Sequence, residues 1–179
     1  MHKTVVIICD GQFPKSEYPR YLIRTADFII CCDGALKKFL RNSTSIFGSE
    51  RLPDLVIGDM DSLSESMKQK YSDIIVKVDE QEHNDQTKAF RWTLDNLSDV
   101  GHIQILGATG QREDHTIGNM SLLMGNLNQR YIQHIRQHFC MRITNHKARH
   151  ITALNGSGTG TDTNCSNIIS GYIGKQPAR

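Results

Sequence analysis

Leu55-Val56-Ile57-Gly58-Asp59-Met60-Asp61-Ser62 is the stretch on which the fold turns. Three apolar residues with no polar alternation read as a strand buried on both faces. The chain then leaves that strand through a glycine into two carboxylates one residue apart. In an extended segment, residues i and i+2 point to the same side. Two like charges held so close repel unless something positive lies between them, so the rest of the sequence is searched for that partner.

The same pattern recurs outward from this point. Apolar runs of strand length occur at Thr4–Cys9, Phe28–Cys32, Ile74–Val78 and Ile103–Leu106, again rich in Val and Ile. Segments with helical spacing lie between or after them. Gly34–Arg41 places Leu36, Phe39 and Leu40 on one side. Gln86–Leu97 does so with Ala89, Phe90, Thr93, Leu94 and Leu97, and Asp114–Leu127 with Ile117, Met120, Ser121, Met124 and Leu127. Strands alternating with helices predict an α/β fold, a Rossmann-like parallel sheet with crossover helices on its faces.

In such a sheet, ligands bind beyond the carboxyl ends of the strands. The first run is followed by Asp10-Gly11, the second by Asp33-Gly34 and the third by Gly58-Asp59-Met60-Asp61. The fourth leads through a polar loop to Asn84-Asp85-Gln86-Thr87-Lys88, and the fifth to Gly107-Ala108-Thr109-Gly110-Gln111-Arg112-Glu113-Asp114-His115. Asp85 and Asp114 each stand where a helix cap is wanted, and capping explains either one alone. Capping does not explain Asp59 together with Asp61, or Arg112 beside Asp114.

Hard oxygen ligands on one side suit Mg²⁺, which takes one or two carboxylates, keeps several waters and shares phosphate oxygens. Asp59, Asp61 and Asp85 are the candidate ligands. Lys88 lies one helical turn beyond Asp85, at a helix start that favours anions. Arg112 offers a planar fork of donors, and the turn from Gly107 to Gly110 lets backbone N–H groups approach a ligand. Together these describe a nucleotide-phosphate site. Neither a GxxxxGK[ST] loop nor a GxGxxG after the first strand is present, so P-loop and dinucleotide chemistry are not supported. Aspartate-nucleophile phosphatases also use a DxD, but after the first strand rather than the third.

These residues carry a family resemblance. Asp33-Gly34, Gly58-Asp59-Met60-Asp61-Ser62, His83-Asn84-Asp85-Gln86-Thr87-Lys88-Ala89 and Gly107 to His115 with Asn119 resemble, in order and spacing, the thiamine pyrophosphokinases (thiamine diphosphokinases) over roughly residues 3–127. The resemblance implies Mg-dependent transfer of a pyrophosphoryl group from ATP to the hydroxyl of thiamine, giving thiamine diphosphate and AMP. It implies catalytic roles for Asp59, Asp61, Asp85 and Lys88, with Asp59, Asp61 and Asp85 on the metal. Asp33, Gly34, Gly107, Gly110, Arg112 and Asp114 would serve ATP, Asp33 near the nucleotide or the metal. Either Asp59 or Asp85 would accept the hydroxyl proton. The resemblance also implies a homodimer and a β-sandwich domain after the α/β domain.

The C-terminal part departs from that pattern. Residues 1–127 hold 14 basic and 18 acidic side chains, whereas 128–179 hold 7 and 1. The basic stretch from Arg130 to Arg149 and the Gly/Thr/Asn-rich stretch Asn155–Asn167 do not read as a β-sandwich. The sequence therefore divides into 1–129, an α/β nucleotide-binding domain, and 130–179, a short atypical segment in place of a full second domain. That segment is a diverged thiamine-binding domain, a truncated one, or a tail in a shifted reading frame. The Ser166-Asn167 pair is a two-residue match to family members. A non-catalytic or truncated ATP-binding protein of the same ancestry is the alternative function. A solvated basic face accounts for the tail better than nucleic acid does, since few aromatics accompany it. The 38% apolar composition and the short first apolar run predict a cytoplasmic chain without membrane segment or leader. Five cysteines without a CxxC pair support neither a zinc ribbon nor a disulfide framework.

Overall fold

The computed structural model describes residues 2–109, 140–144 and 150–154. β1 (Lys3–Ile8), β2 (Phe28–Cys32), β3 (Leu55–Gly58), β4 (Ile75–Lys77) and β5 (Val100–Leu106) are the five apolar runs of the sequence. Between them lie α1 (Glu17–Arg24), α2 (Ala35–Phe47), α3 (Glu65–Lys70) and α4 (Asp85–Asn96), with a 3-10 turn at Ser72–Ile74. β6 (Cys140–Thr144) and β7 (His150–Leu154) complete the described elements. The seven strands form one sheet in the order β4-β3-β2-β1-β5-β6-β7. Every pairing from β4 through β6 is parallel, and β7 runs antiparallel to β6. The expected parallel α/β architecture is the one found. The expected helix at 114–127 lies outside the described residues, as do His115, Asn119, Asn155–Asn167 and the Ser166-Asn167 pair.

Strand side chains alternate between two apolar layers. On one face Val5, Ile7, Cys9, Ile30, Cys32, Leu55, Ile57, Ile103 and Ile105 pack with Ala89 and Phe90 of α4. On the other, Val6, Ile8, Ile29, Cys31 and Val56 pack with Ile23 of α1, Leu36 and Phe39 of α2, and Met60 and Leu63 after β3. With both faces covered, the period-two polar alternation disappears from the strands, as their sequences show. Cys9, Cys31 and Cys32 are buried free thiols, and burial holds the Cys31 thiol well above its ordinary range. Among the described residues no helix is long and apolar enough to cross a membrane.

The strand order reverses between β1 and β5, where open α/β sheets leave their crevice. Here the loops after these two strands grip each other. The Gly11 N–H donates to the Gly107 carbonyl at 2.8 Å and that of Gln12 to Thr109 at 2.9 Å. A Cβ on Gly11 would stand 2.2 Å from the Gly107 oxygen, so only glycine permits the approach. The Lys38 ammonium clasps the first loop from below, 2.7 Å from the Asp10 carboxylate and within 2.8 Å of the Asp10 and Gly11 carbonyls.

Candidate functional site

Three strand ends deliver carboxylates to one point on this edge. Asp33 follows β2, Asp59 follows β3, and Asp85 opens α4 after the loop from β4. One carboxylate oxygen from each lies within 4.8 Å of the others. Gly58 makes the convergence possible, because a Cβ there would stand 2.9 Å from the Cβ of Asp33 and 3.1 Å from the Asp85 carboxyl carbon.

Each acid is oriented by its surroundings. Asp33 is only 4% exposed, and its backbone is left-handed with φ 32°, a conformation aspartate tolerates better than most residues. Its Oδ2 accepts from the Ser62 N–H at 3.0 Å, while the buried Oδ1 has no hydrogen-bond partner among the described residues. A buried carboxylate oxygen without a partner among the described residues, on an acid grouped with two further carboxylates, fits a hard cation and is costly without one. Asp59 Oδ1 accepts from the Asp61 N–H at 3.1 Å. At Asp85, burial raises the pKa above the ordinary carboxylate value, Lys88 works against the rise, and the Asp59 and Asp33 charges add to it.

Lys88 is the buried counter-charge. Its side chain is 4% exposed, with Nζ 3.3 Å from Asp85 Oδ1. The cap of α4 is Asn84, whose Oδ1 accepts from the Thr87 N–H at 2.9 Å and from the Thr87 hydroxyl at 2.8 Å. Because Asn84 caps the helix, the Asp85 carboxylate is left to face Asp33 and Asp59.

The structure therefore brings together Asp33, Asp59, Asp85 and Lys88, with Gly34 opening α2 behind Asp33. It does not bring Asp61 into the carboxylate group. Met60 has φ 66°, so the segment is turned rather than extended, and the same-side rule for i and i+2 does not apply to it. Gly107 lies in the β5 loop with φ 65° and the Cys9 carbonyl 2.8 Å from where a Cβ would be. Gly110, Arg112 and Asp114 lie outside the described residues.

Two basic residues of this edge had escaped the sequence reading. The Lys37 ammonium donates to the Ser62 carbonyl and ties the turn after β3 to α2. Lys77 pairs with Asp79 at 2.8 Å; that hydrogen bond and charge, with Asp61 and Asp59 adding to them, raise its pKa. Its position, the last residue of β4 opposite Gly58, is the signal that could have revealed it.

A parallel α/β sheet with a cluster of acids and a buried lysine beyond its carboxyl ends has the donor chemistry that suits a hard cation and an anionic ligand at that edge. The family model described as thiamin pyrophosphokinase, catalytic domain, matches residues 19–135, and the chain belongs to the thiamin pyrophosphokinase family. Thiamine pyrophosphokinase 2 of Oryza sativa subsp. japonica is 29% identical over 124 residues, covering 59% of this chain and 46% of that protein. Thiamine pyrophosphokinase of Bacillus subtilis (strain 168) is 30% identical over 87 residues, covering 46% and 40%. The chain thus spans about half the length of the curated relatives it matches. The crystal structure of a thiamin pyrophosphokinase family protein from Enterococcus faecalis superposes with a TM-score of 0.59 at 23% identity, over 80% of this chain and 62% of that one. That likeness concerns the fold.

Proposed function

We propose that this chain transfers a pyrophosphoryl group from ATP to the hydroxyl of thiamine, releasing AMP and thiamine diphosphate. Family membership supports the reaction class. The observation that carries the reading to these residues is the convergence of Asp33, Asp59 and Asp85, one carboxylate oxygen of each within 4.8 Å of the others. Asp33, Asp59 and Asp85 would hold Mg²⁺, with Asp61 beside them in the turn. When bound, the cation supplies charge neutralisation for the triphosphate.

The chain's own residues do the remaining work through position and charge. The α4 N-terminus and the buried Lys88 ammonium favour phosphate oxygens at the same edge. Arg112 and the glycines at 107 and 110, with Gly34 and Asp114, would complete the nucleotide side. The acceptor hydroxyl loses its proton to a carboxylate of this edge, Asp59 or Asp85. In this reading residues 1–129 serve the nucleotide and the metal, and 130–179 contribute to the acceptor. The protein would act as a cytoplasmic homodimer.

The test is product analysis after the purified chain meets thiamine, ATP and Mg²⁺. AMP and thiamine diphosphate formed in equal amounts, and abolished by Asp59→Asn, are the expected result. ATP binding with neither product would overturn the transferase reading in favour of a nucleotide-binding protein of the same ancestry.

A further inference from the structure

Beneath the three carboxylates lies a polar chain that phosphoryl transfer itself does not use. Cys9 follows β1, Cys32 ends β2 and Gln86 is the second residue of α4; they are 5%, 3% and 2% exposed. The Cys9 thiol donates to Gln86 Oε1 at 3.4 Å, and Cys32 packs in the same buried layer as Cys9. The strand register explains the meeting. Ile8 lies opposite Cys31 in the parallel β1–β2 pair, so the next residues, Cys9 and Cys32, come side by side, both in the apolar layer that α4 covers.

Each member of the chain adjoins a carboxylate in sequence. Asp10 follows Cys9, Asp33 follows Cys32 and Asp85 precedes Gln86. Two of those three acids belong to the converging group. An apolar layer alone fixes distance but little direction, because hydrophobic contact is non-directional. A hydrogen bond between a strand tip and the first turn of a helix fixes orientation as well. That matters where three like charges would otherwise push the helix start away from the strands, and where Mg²⁺ demands near-ideal ligand geometry.

We propose that Cys9, Cys32 and Gln86 form a positioning network that holds the first turn of α4 against the tips of β1 and β2, so that Asp85 meets Asp33 and Asp59 at metal-binding distance. The proposal rests on the metal reading above. Its members touch neither substrate nor metal; they act through the carboxylates beside them.

The experiment measures Mn²⁺ binding to the full chain by electron paramagnetic resonance, without nucleotide. Gln86→Met keeps the length and the apolar burial but removes the acceptor; Cys9→Ala removes the donor and Cys9→Ser retains one. Loss of one buried hydrogen bond should weaken Mn²⁺ binding about fivefold in Gln86→Met and in Cys9→Ala. Cys9→Ser should bind within about twofold of the parent, a rescue that loss of packing alone would not give. If Gln86→Met and Cys9→Ala bind Mn²⁺ as the parent does, whatever their melting temperatures, the positioning role is overturned and the metal site stands. A parent chain that binds no Mn²⁺ overturns the metal reading and the network's role with it.

Discussion

At the scale of single residues the site depends on how closely three carboxylates can be brought together. Gly58 sets that limit, since a methyl group there would press on both Asp33 and Asp85. Gly58→Ala is expected to cost about 1–3 kcal/mol through overpacking and to weaken divalent-cation binding at least tenfold; titrating Mn²⁺ against the variant and its parent checks this, and equal affinities would show that the acids have slack. Asp85 makes a second prediction, about pH. Burial raises its folded-state pKa, and the opposing pull of Lys88 does not cancel the rise. A raised folded pKa means the contribution to stability is present below the unfolded value of 3.8 and is lost as pH rises through the folded value. The metal-free Asp85→Asn chain should therefore match the parent near pH 3.5 and exceed its melting temperature increasingly towards pH 7. Melting curves in chelator at several pH values decide it, and a gap that narrows with rising pH would contradict the sign. Much of this residue set was legible in the sequence, because an acid straight after a buried strand lands on the ligand edge of a parallel sheet. The place of Asp61 was not. Its reading assumed an extended backbone, and the left-handed Met60 between the two acids is invisible to any rule about spacing.

At the scale of elements, α4 joins the site to the core. One face of it buries Ala89 and Phe90 against the sheet, while its first turn presents Asp85 and Lys88. The helix start is fixed by Asn84, so Asn84→Ala should lower stability by about 1 kcal/mol and lower metal affinity by a larger factor than an exposed substitution on the same helix, such as Asp95→Ala. Denaturant unfolding together with Mn²⁺ titration tests both halves; a stability loss with unchanged affinity would mean that Asp85 does not depend on the cap. The sequence reading put the cap position at Asp85, whereas the structure caps α4 with Asn84; both residue types serve as caps, and only the geometry distinguishes them. The five strands and the helices α2 and α4 were legible because each carries an apolar run or stripe, buried in all but β4, whose Ile75 and Val76 are half-buried. Two helices were not. α1 buries Pro19 and Ile23, too few for a visible period, and carries that proline in its first turn, a position helices accept but a reader takes for a loop. α3 has no buried residue and so no stripe; its local signs are the Ser64 cap, which accepts from the Met67 N–H, and the charges at its ends, Glu65 in the first turn and Lys68 and Lys70 in the last.

At the scale of the whole molecule, the carboxyl edge is a region of stored repulsion in an otherwise well-packed sheet. The two apolar layers are built from hydrophobic side chains, with Ile7, Ile30, Phe39 and Phe90 fully buried. The chain therefore has a core of its own, unlike domains in which the ion replaces one. A cation that binds the folded chain and not the unfolded one then adds stability by mass action, about 2.7 kcal/mol at a hundred times its dissociation constant. For a chain of this length that corresponds to a rise in melting temperature of roughly 5–10 °C. Mg²⁺ should produce the rise in the parent chain, and an equal ionic strength of NaCl should not, because general screening is not coordination. Asp33→Asn should lose most of it, since the buried Oδ1, without a hydrogen-bond partner among the described residues, has much to gain from a cation. The same substitution should leave the metal-free melting temperature level or higher, because it removes one of three repelling charges. Should Mg²⁺ and NaCl shift the parent chain equally, the three carboxylates are a charge cluster that salt relieves, and the metal assignment falls with that result.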